Sequence, residues 1–394
     1  MKLWKWYLSI LALMLSPLLL DACSFSMQVM NNSNNYSGGL PSPTIESPTV
    51  AASTPTFTPP APTETVLRPT PTLISIREGT YAMLENFMNF RQRDIVHGLA
   101  FTPDGTVLAS TGGQEENFDI YLWDTGTGQQ IGSLRGHTDI VWDLAFSPDG
   151  QLLASVSSDK TARVWNWRTG EALKTLDFPG EAASVSFSPD GRSLAVGGVD
   201  QPLNQIQNAA VWTFSTGSWE PLIKYPEYWN ILTLNYSPDG GTLVGGGTSR
   251  NVQVWNVGDP DPRFTLSHAH QAGKAAISPD GSSLATSTCI TVVNQECTDA
   301  GFWLWDLPSG RLIRKVSGFP NVVVNLAFTA DGSTLVAGSR DGTMRFYSTS
   351  DYEPRFETFS LDGISAMALS ADSGLLATGG GDGGIHLWKN ISHP

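Results

Sequence analysis

The residues able to do covalent or metal chemistry are few and scattered. The chain of 394 residues holds six histidines and three cysteines. A nucleophile needs a base within hydrogen-bond reach, and a zinc site needs three or four converging His, Cys or carboxylate ligands. His386 sits two residues before Trp388, inside an alternating stretch, and His393 is the penultimate residue. His268 and His270 have the spacing of a ligand pair, and His97 stands alone. The chain has no Gly-x-Ser-x-Gly elbow, no His-Glu-x-x-His pair, no phosphate-cradling loop ending in Lys-Ser/Thr and no EF-hand loop. The glycine runs 245–247 and 379–381 close alternating segments and read as turn glycines. No catalytic residue, cofactor or metal is expected.

Charge excludes a further class. The formal net charge is −14, and residues 1–71 contribute nothing to it, because Lys2, Lys5 and Arg68 offset Asp21, Glu46 and Glu64. The excess acidity therefore lies on the remainder, without a Lys/Arg cluster to displace counterions from a phosphate backbone, so nucleic acid is not an expected partner. Part of the acidity belongs to repeated turns, where aspartate serves backbone geometry. The 39 glycines and 13 tryptophans fit a turn-rich β-protein with large aromatic anchors.

Lys2 and Lys5 precede an apolar run from Trp6 to Leu20, which has the form of a secretory signal and is short for a membrane span. The run ends Leu20-Asp21-Ala22-Cys23, which resembles the lipobox of bacterial lipoproteins. That resemblance implies removal of residues 1–22 and acylation of Cys23, and hence a protein of the bacterial cell envelope, outside the cytoplasm, whose membrane contact is its lipid. An ordinary cleaved signal and a retained anchor helix are the alternatives. Residues 23–72 are Asn/Ser-rich and then Pro/Thr-rich, the composition of a disordered tether. The folded part is expected over 73–394. In an exported protein Cys289 and Cys297 are left to pair with each other as a disulfide.

The elements that must position everything else are repeats. An aromatic or aliphatic residue followed by Ser/Thr, Pro/Ala, Asp and Gly/Ser begins at Phe101, Phe146, Phe187, Tyr236, Ile277, Phe328 and Leu369. Seven residues after each comes a leucine: Leu108, Leu153, Leu194, Leu243, Leu284, Leu335 and Leu376. Pro presets φ, Asp bonds the backbone and Gly accepts positive φ, so each pattern is a tight turn between two antiparallel strands. Each unit reaches a third strand at Trp123, Trp165, Trp212, Trp255, Trp305, Tyr347 or Trp388, and a further turn leads to a fourth. Seven such units of 41 to 51 residues predict an all-β, seven-bladed propeller of four-stranded antiparallel blades.

The pairs Trp123-Asp124 and Trp305-Asp306, together with Gly136-His137, resemble the signature of the WD-repeat family over about residues 84–394. The resemblance implies a buried network of His, Ser/Thr, Asp and Trp, matched by His137, Ser155, Asp159 and Trp165 and again by His268, Thr286, Asp299 and Trp305. It makes those histidines structural. Only six residues follow Trp388, so the resemblance also implies that the segment near Leu84–Phe90 supplies the last outer strand and closes the ring.

In this family the loops before the first strand and those between the second and third share the face called the top. The interval from turn pattern to aromatic lengthens from 19 residues to 22, 25 and 28 in blades 1, 3 and 5, which crowds insertions onto that face. Four residues before each pattern stand His97, Trp142, Ala183, Leu232, Gly273, Val324 and Ser365, in the place of the family's contact ring. Trp142, with Tyr228 and Trp229 in the loop entering blade 4, heads the partner-binding candidates, because aromatics dominate binding hot spots. Trp142 and Trp229 as mere caps on the channel is the competing reading. Glu116, Gln205, Thr298 and Arg340 are expected to form a polar rim. The sequence thus points to a membrane-anchored scaffold engaging a protein or peptide. A carbohydrate binder using paired aromatics, and an enzyme using carboxylates at the channel, are the alternatives.

Overall fold

A computed structural model describes residues 84–92, 95–113, 117–199, 209–227, 230–293 and 296–390. The segments expected to be signal and tether, with Cys23, and Glu116, Gln205, Tyr228 and Trp229 lie outside them. Within the described residues the chain forms seven four-stranded antiparallel sheets and no helix.

The blades are successive in sequence. Blade 2 runs Val141–Phe146, Leu152–Ser157, Thr161–Asn166 and Glu171–Asp177 from the axis outward, each strand pairing with the next. Blades 1 and 3 to 6 repeat that meander. The seventh sheet has the order Ala366–Leu369, Leu375–Gly379, Gly384–Asn390 and Leu84–Arg91. Its outer pair runs in register from Leu84 opposite Asn390 to Arg91 opposite Gly384, with a bulge between Asn86 and Met88. The inner strands of neighbouring blades lie against each other around the whole circle, Ala366–Leu369 against Leu99–Phe101 included.

Burial explains why each strand has its sequence. Second strands are covered on both faces by flanking blades, so Val107–Thr111 is buried at every position and carries small and aliphatic residues without alternation. Outer strands regain one wet face: Glu171–Asp177 is exposed but for Lys174 and Leu176. The seven repeated leucines are each 0–1% exposed. The core is divided into seven clusters, each shared by two adjacent blades. One example joins Leu99, Phe101, Leu108 and Trp123 of blade 1 to Ala366, Ala377, Ile385 and Leu387 of blade 7. A fully buried leucine contributes about 1.5–3 kcal/mol, so no blade can hide its faces alone and stability is a property of the ring.

The repeated turn is the same construction seven times. In blade 2 the Ser147 hydroxyl donates to Asp149 Oδ1 at 2.6 Å, while the amides of Gln151 and Leu152 donate to Asp149 and Ser147 at 3.0 and 2.9 Å. Gly150 follows at φ +67°. These local donors hold the Asp149 carboxyl below the ordinary range, as they do for Asp104, Asp190, Asp239, Asp280, Asp331 and Asp372. The last turn has Ser373 at φ +59° in the glycine place. Its hydroxyl accepts from the Ala330 amide at 2.8 Å, a donor that exists only because blade 6 has Ala where most blades have Pro.

Candidate binding face and the buried networks

The network of blade 2 shows how burial decides what a group of side chains can do. His137 Nδ1 lies 2.7 Å from Asp159 Oδ2, and its Nε2 lies 2.7 Å from Ser155 Oγ. Trp165 Nε1 donates to the same Ser155 oxygen at 2.8 Å. Burial lowers the basicity of His137 despite the facing carboxylate. The neutral ring then donates from Nδ1 to Asp159 and accepts the Ser155 proton at Nε2, which satisfies every polar atom in the chain of bonds. Ser, His and Asp in this order would make an activated nucleophile in an open cleft. Here Ser155 is 0% exposed and its oxygen is already held by an indole, so no substrate reaches it.

Blade 5 differs. His268 Nε2 lies 2.7 Å from Thr286 Oγ1, which accepts from Trp305 Nε1 at 2.8 Å, but His268 Nδ1 faces the Arg250 carbonyl at 3.2 Å. Asp299, expected in the role of Asp159, instead accepts the Gly318 amide at 2.8 Å. The cause is the insertion. Ser283–Val293 and Glu296–Asp306 run on as a long hairpin, so Asp299 sits inside a strand opposite Thr291. Asp159, by contrast, lies in the tight turn beside Lys160, which has φ +68°. The hairpin carries the Cys289–Cys297 disulfide, with Cα atoms 5.8 Å apart.

Elsewhere the second strand decides. Trp123 donates to Ser110 at 2.9 Å and Trp388 to Thr378 at 3.0 Å. Where that position is Val196 or Gly245, the indole nitrogens of Trp212 and Trp255 are buried without a partner. In blade 1, Gln92 takes the histidine's place, accepting from Ser110 at 2.7 Å and donating to the Thr111 carbonyl at 2.9 Å. Gln92 was not singled out from the sequence, although it stands nine residues before Phe101, as His137 does before Phe146.

The mouth of the channel is built on the start of each inner strand. Trp142 stacks obliquely on His97 with ring centroids 4.8 Å apart, and its indole donates to Ser158 Oγ at 2.7 Å. Ser158 in turn donates to Glu181 at 3.2 Å. Trp142 is therefore half-buried and fixed. His97 Nε2 is buried without a partner, and desolvation pulls its pKa down to about 4. Leu232, Val324 and Arg340 are half-buried, and Thr298 is exposed.

One residue further along the inner strands of blades 2 to 6, polar side chains lace blade to blade. Asp143 Oδ2 accepts from Ser184 Oγ at 2.8 Å and from the Val185 amide at 3.0 Å, and Ser184 Oγ accepts from the Leu234 amide at 3.0 Å. Lys274 Nζ donates to the Leu232 carbonyl at 3.0 Å, and Asn325 to that of Met367 at 3.1 Å. In blade 7 the mouth residue itself does this, Ser365 Oγ donating to the Val96 carbonyl at 2.7 Å. Burial pushes the Asp143 carboxyl up, against the field of Lys274 and its hydrogen-bond donors. These lacing residues were missed too. Their signal was a polar residue three before the turn pattern, within an otherwise apolar strand. A cavity of about 450 Å³ between blades 4 and 5 opens at the opposite end, beside Asp239 and Asp280. Among the described residues no three His, Cys, Asp or Glu side chains converge as a metal group.

Comparison with known proteins fits this geometry. The profile described as WD domain, G-beta repeat matches residues 88–124, 128–166, 219–256, 310–348 and 356–389. The chain belongs to the WD-repeat family. Each matched WD repeat takes the outer strand of one blade and three strands of the next, and the first begins within Leu84–Arg91. The inner strands of blades 3 and 5 fall outside the matched WD repeats, and those are the blades with the longest insertions. Among similar proteins, the mouse periodic tryptophan protein 2 homolog is 29% identical over 67% of this chain and 30% of its own length. The LST8 homolog of Drosophila melanogaster is 23% identical over 59% of this chain and 73% of its length. Groucho of the same fly is 27% identical over 44% of this chain and 24% of its length. The chain thus spans less than a third of the mouse protein and of groucho.

Proposed function

We propose that this WD-repeat propeller is a scaffold that docks a protein or peptide partner across its top face, held outside the cytoplasm by lipid on Cys23. The observation that carries the docking reading is the combination at one inner-strand position: half-exposed Leu232 and Val324 in blades 4 and 6, and Trp142 in blade 2, whose ring is already held by Ser158 and His97. A surface ordered before binding loses little entropy on association. The hydroxyl–imidazole pairs Ser155–His137 and Thr286–His268 are buried and each hydroxyl is already held by an indole, so they offer a substrate no access. Sugar recognition by stacking needs a free aromatic plane, and Trp142 offers only part of one. Anchoring rests on the Ala22-Cys23 pattern, and closure of the ring on the pairing of Leu84–Arg91 with the last blade.

The docking reading is tested by using the purified chain as bait in envelope extracts, beside Leu232→Arg, Val324→Glu and the outer-strand control Leu173→Lys. A discrete protein captured by the wild type and the control but lost with both mouth variants supports it; equal capture by all four refutes it. Mass spectrometry of the native N-terminus reads the anchor. An acylated Cys23 as first residue is expected, and a free thiol there, or cleavage elsewhere, overturns it.

A further inference from the structure

Most arginines of the described propeller have partners. Arg91 pairs with Asp382, Arg135 with Asp119, Arg314 with Glu353 and Arg345 with Glu357. Among the described residues none gives Arg340 a hydrogen bond or an opposing charge on its guanidinium, and burial alone draws its pKa below the usual value. It remains a cation at neutral pH. Neighbouring carboxylates are committed elsewhere. Asp341 Oδ1 accepts from the Thr343 amide at 3.0 Å, and Asp362 Oδ2 lies 2.8 Å from His386 Nε2. A half-desolvated cation without a counter-charge stabilises nothing in the free protein.

Its place in the fold gives it a use. Arg340 is five residues past Leu335, as Ser158 is five past Leu153, and Ser158 is the residue that touches Trp142 at the mouth. The mouth residue of blade 6 is Val324. We propose that Arg340 anchors one carboxylate side chain of a peptide segment of the docked partner, whose apolar neighbours lie on Val324 and Leu232. This rests on the reading of the top face as the docking surface. A guanidinium presents a planar fork that matches a carboxylate in two parallel bonds. The net charge of −14 repels a run of acidic residues, so the fitting segment has a single Asp or Glu among apolar residues.

The test selects random dodecapeptides displayed on phage against the purified chain. Synthetic versions of the selected peptides are then titrated by fluorescence anisotropy into the wild type, Arg340→Met, Arg340→Lys and Val324→Glu. The expected peptides share one acidic position. Arg340→Met, or the matching amide in the peptide, weakens binding about thirty-fold or more, as for truncation of one partner of a buried charge pair. Arg340→Lys is intermediate, and unliganded Arg340→Met melts no lower than the wild type. Selected peptides that are lost with Val324→Glu but bind Arg340→Met as tightly as the wild type overturn this inference alone. So does an Arg340→Met protein that melts clearly lower, since the side chain would then serve the fold. If no selected peptide depends on Val324, the docking reading fails and this inference fails with it.

Discussion

Replacing Ser155 by alanine removes one oxygen and unmakes two buried hydrogen bonds. Ser155 Oγ donates to His137 Nε2 at 2.7 Å and accepts from Trp165 Nε1 at 2.8 Å, at a site with no exposure. Each buried polar atom left unsatisfied costs about 1–3 kcal/mol, so the pair should cost about 2–6 kcal/mol. The propeller supplies its own scale. Thr378 makes the corresponding bond to Trp388 alone, at 3.0 Å, so Thr378→Val should cost about half as much. Unfolding entropy of ~2.1 cal/mol/K per residue over about 300 residues turns 3 kcal/mol into a fall in Tm of about 5 °C. Scanning calorimetry measures this, with urea unfolding at constant m as a check on cooperativity. A Ser155→Ala chain that melts within a degree of the wild type, or above Thr378→Val, would refute the reasoning. Trp212 and Trp255 already live without a partner, so the ring tolerates such losses one blade at a time.

Three further outcomes follow from the same structure. His268 and His97 are drawn to about 4 by burial, while an unfolded histidine takes its proton near 6.5. Between those values the unfolded chain binds more protons, and stability falls as pH falls, by about 1.4 kcal/mol per pH unit for each histidine. Buried Asp143 and Glu181, with raised carboxyls, act in the opposite direction, so the comparison is with His268→Asn, whose slope should be shallower by one histidine's share; a His268 NMR titration near 6.5 would contradict it. The Cys289→Ser, Cys297→Ser double variant should lose at most ~2.6 kcal/mol of loop closure and show faster amide exchange confined to the long hairpin, whereas protection unchanged in that hairpin would show the bridge to be idle. Deleting residues 73–90 should lower Tm for the whole propeller, because Leu84–Arg91 covers the Gly384–Asn390 edge, and an unchanged melting curve would rule out closure by that strand.

Much of the frame was legible because a turn has few chemical solutions. Ser-Pro-Asp-Gly and the leucine six residues on from its first position mark two strands in each repeat, and an aromatic marks the third. Regularity of that kind survives in sequence because every blade meets the same neighbours. Side-chain partners were less legible where a blade breaks the pattern. Asp299 holds the same offset from its tryptophan as Asp159, yet the lengthened hairpin places it in a strand rather than a turn, and offset alone does not carry that bend. Gln92 was overlooked because glutamine replaces the expected histidine while making equivalent bonds. Trp142 reads in sequence as an exposed aromatic. Its covering depends on Ser158 and His97, which are close only after two blades have packed.

The docking claim is most directly tested by placing a photoreactive benzoylphenylalanine at Val324 in the native envelope, with the same residue at Leu173 as the control. Leu173 lies 46% exposed on an outer strand, so it samples the solvent-facing rim without touching the mouth. The account predicts a discrete cross-linked protein from position 324 that is absent from position 173. A cross-link from 173 alone, or none from either position, would contradict it.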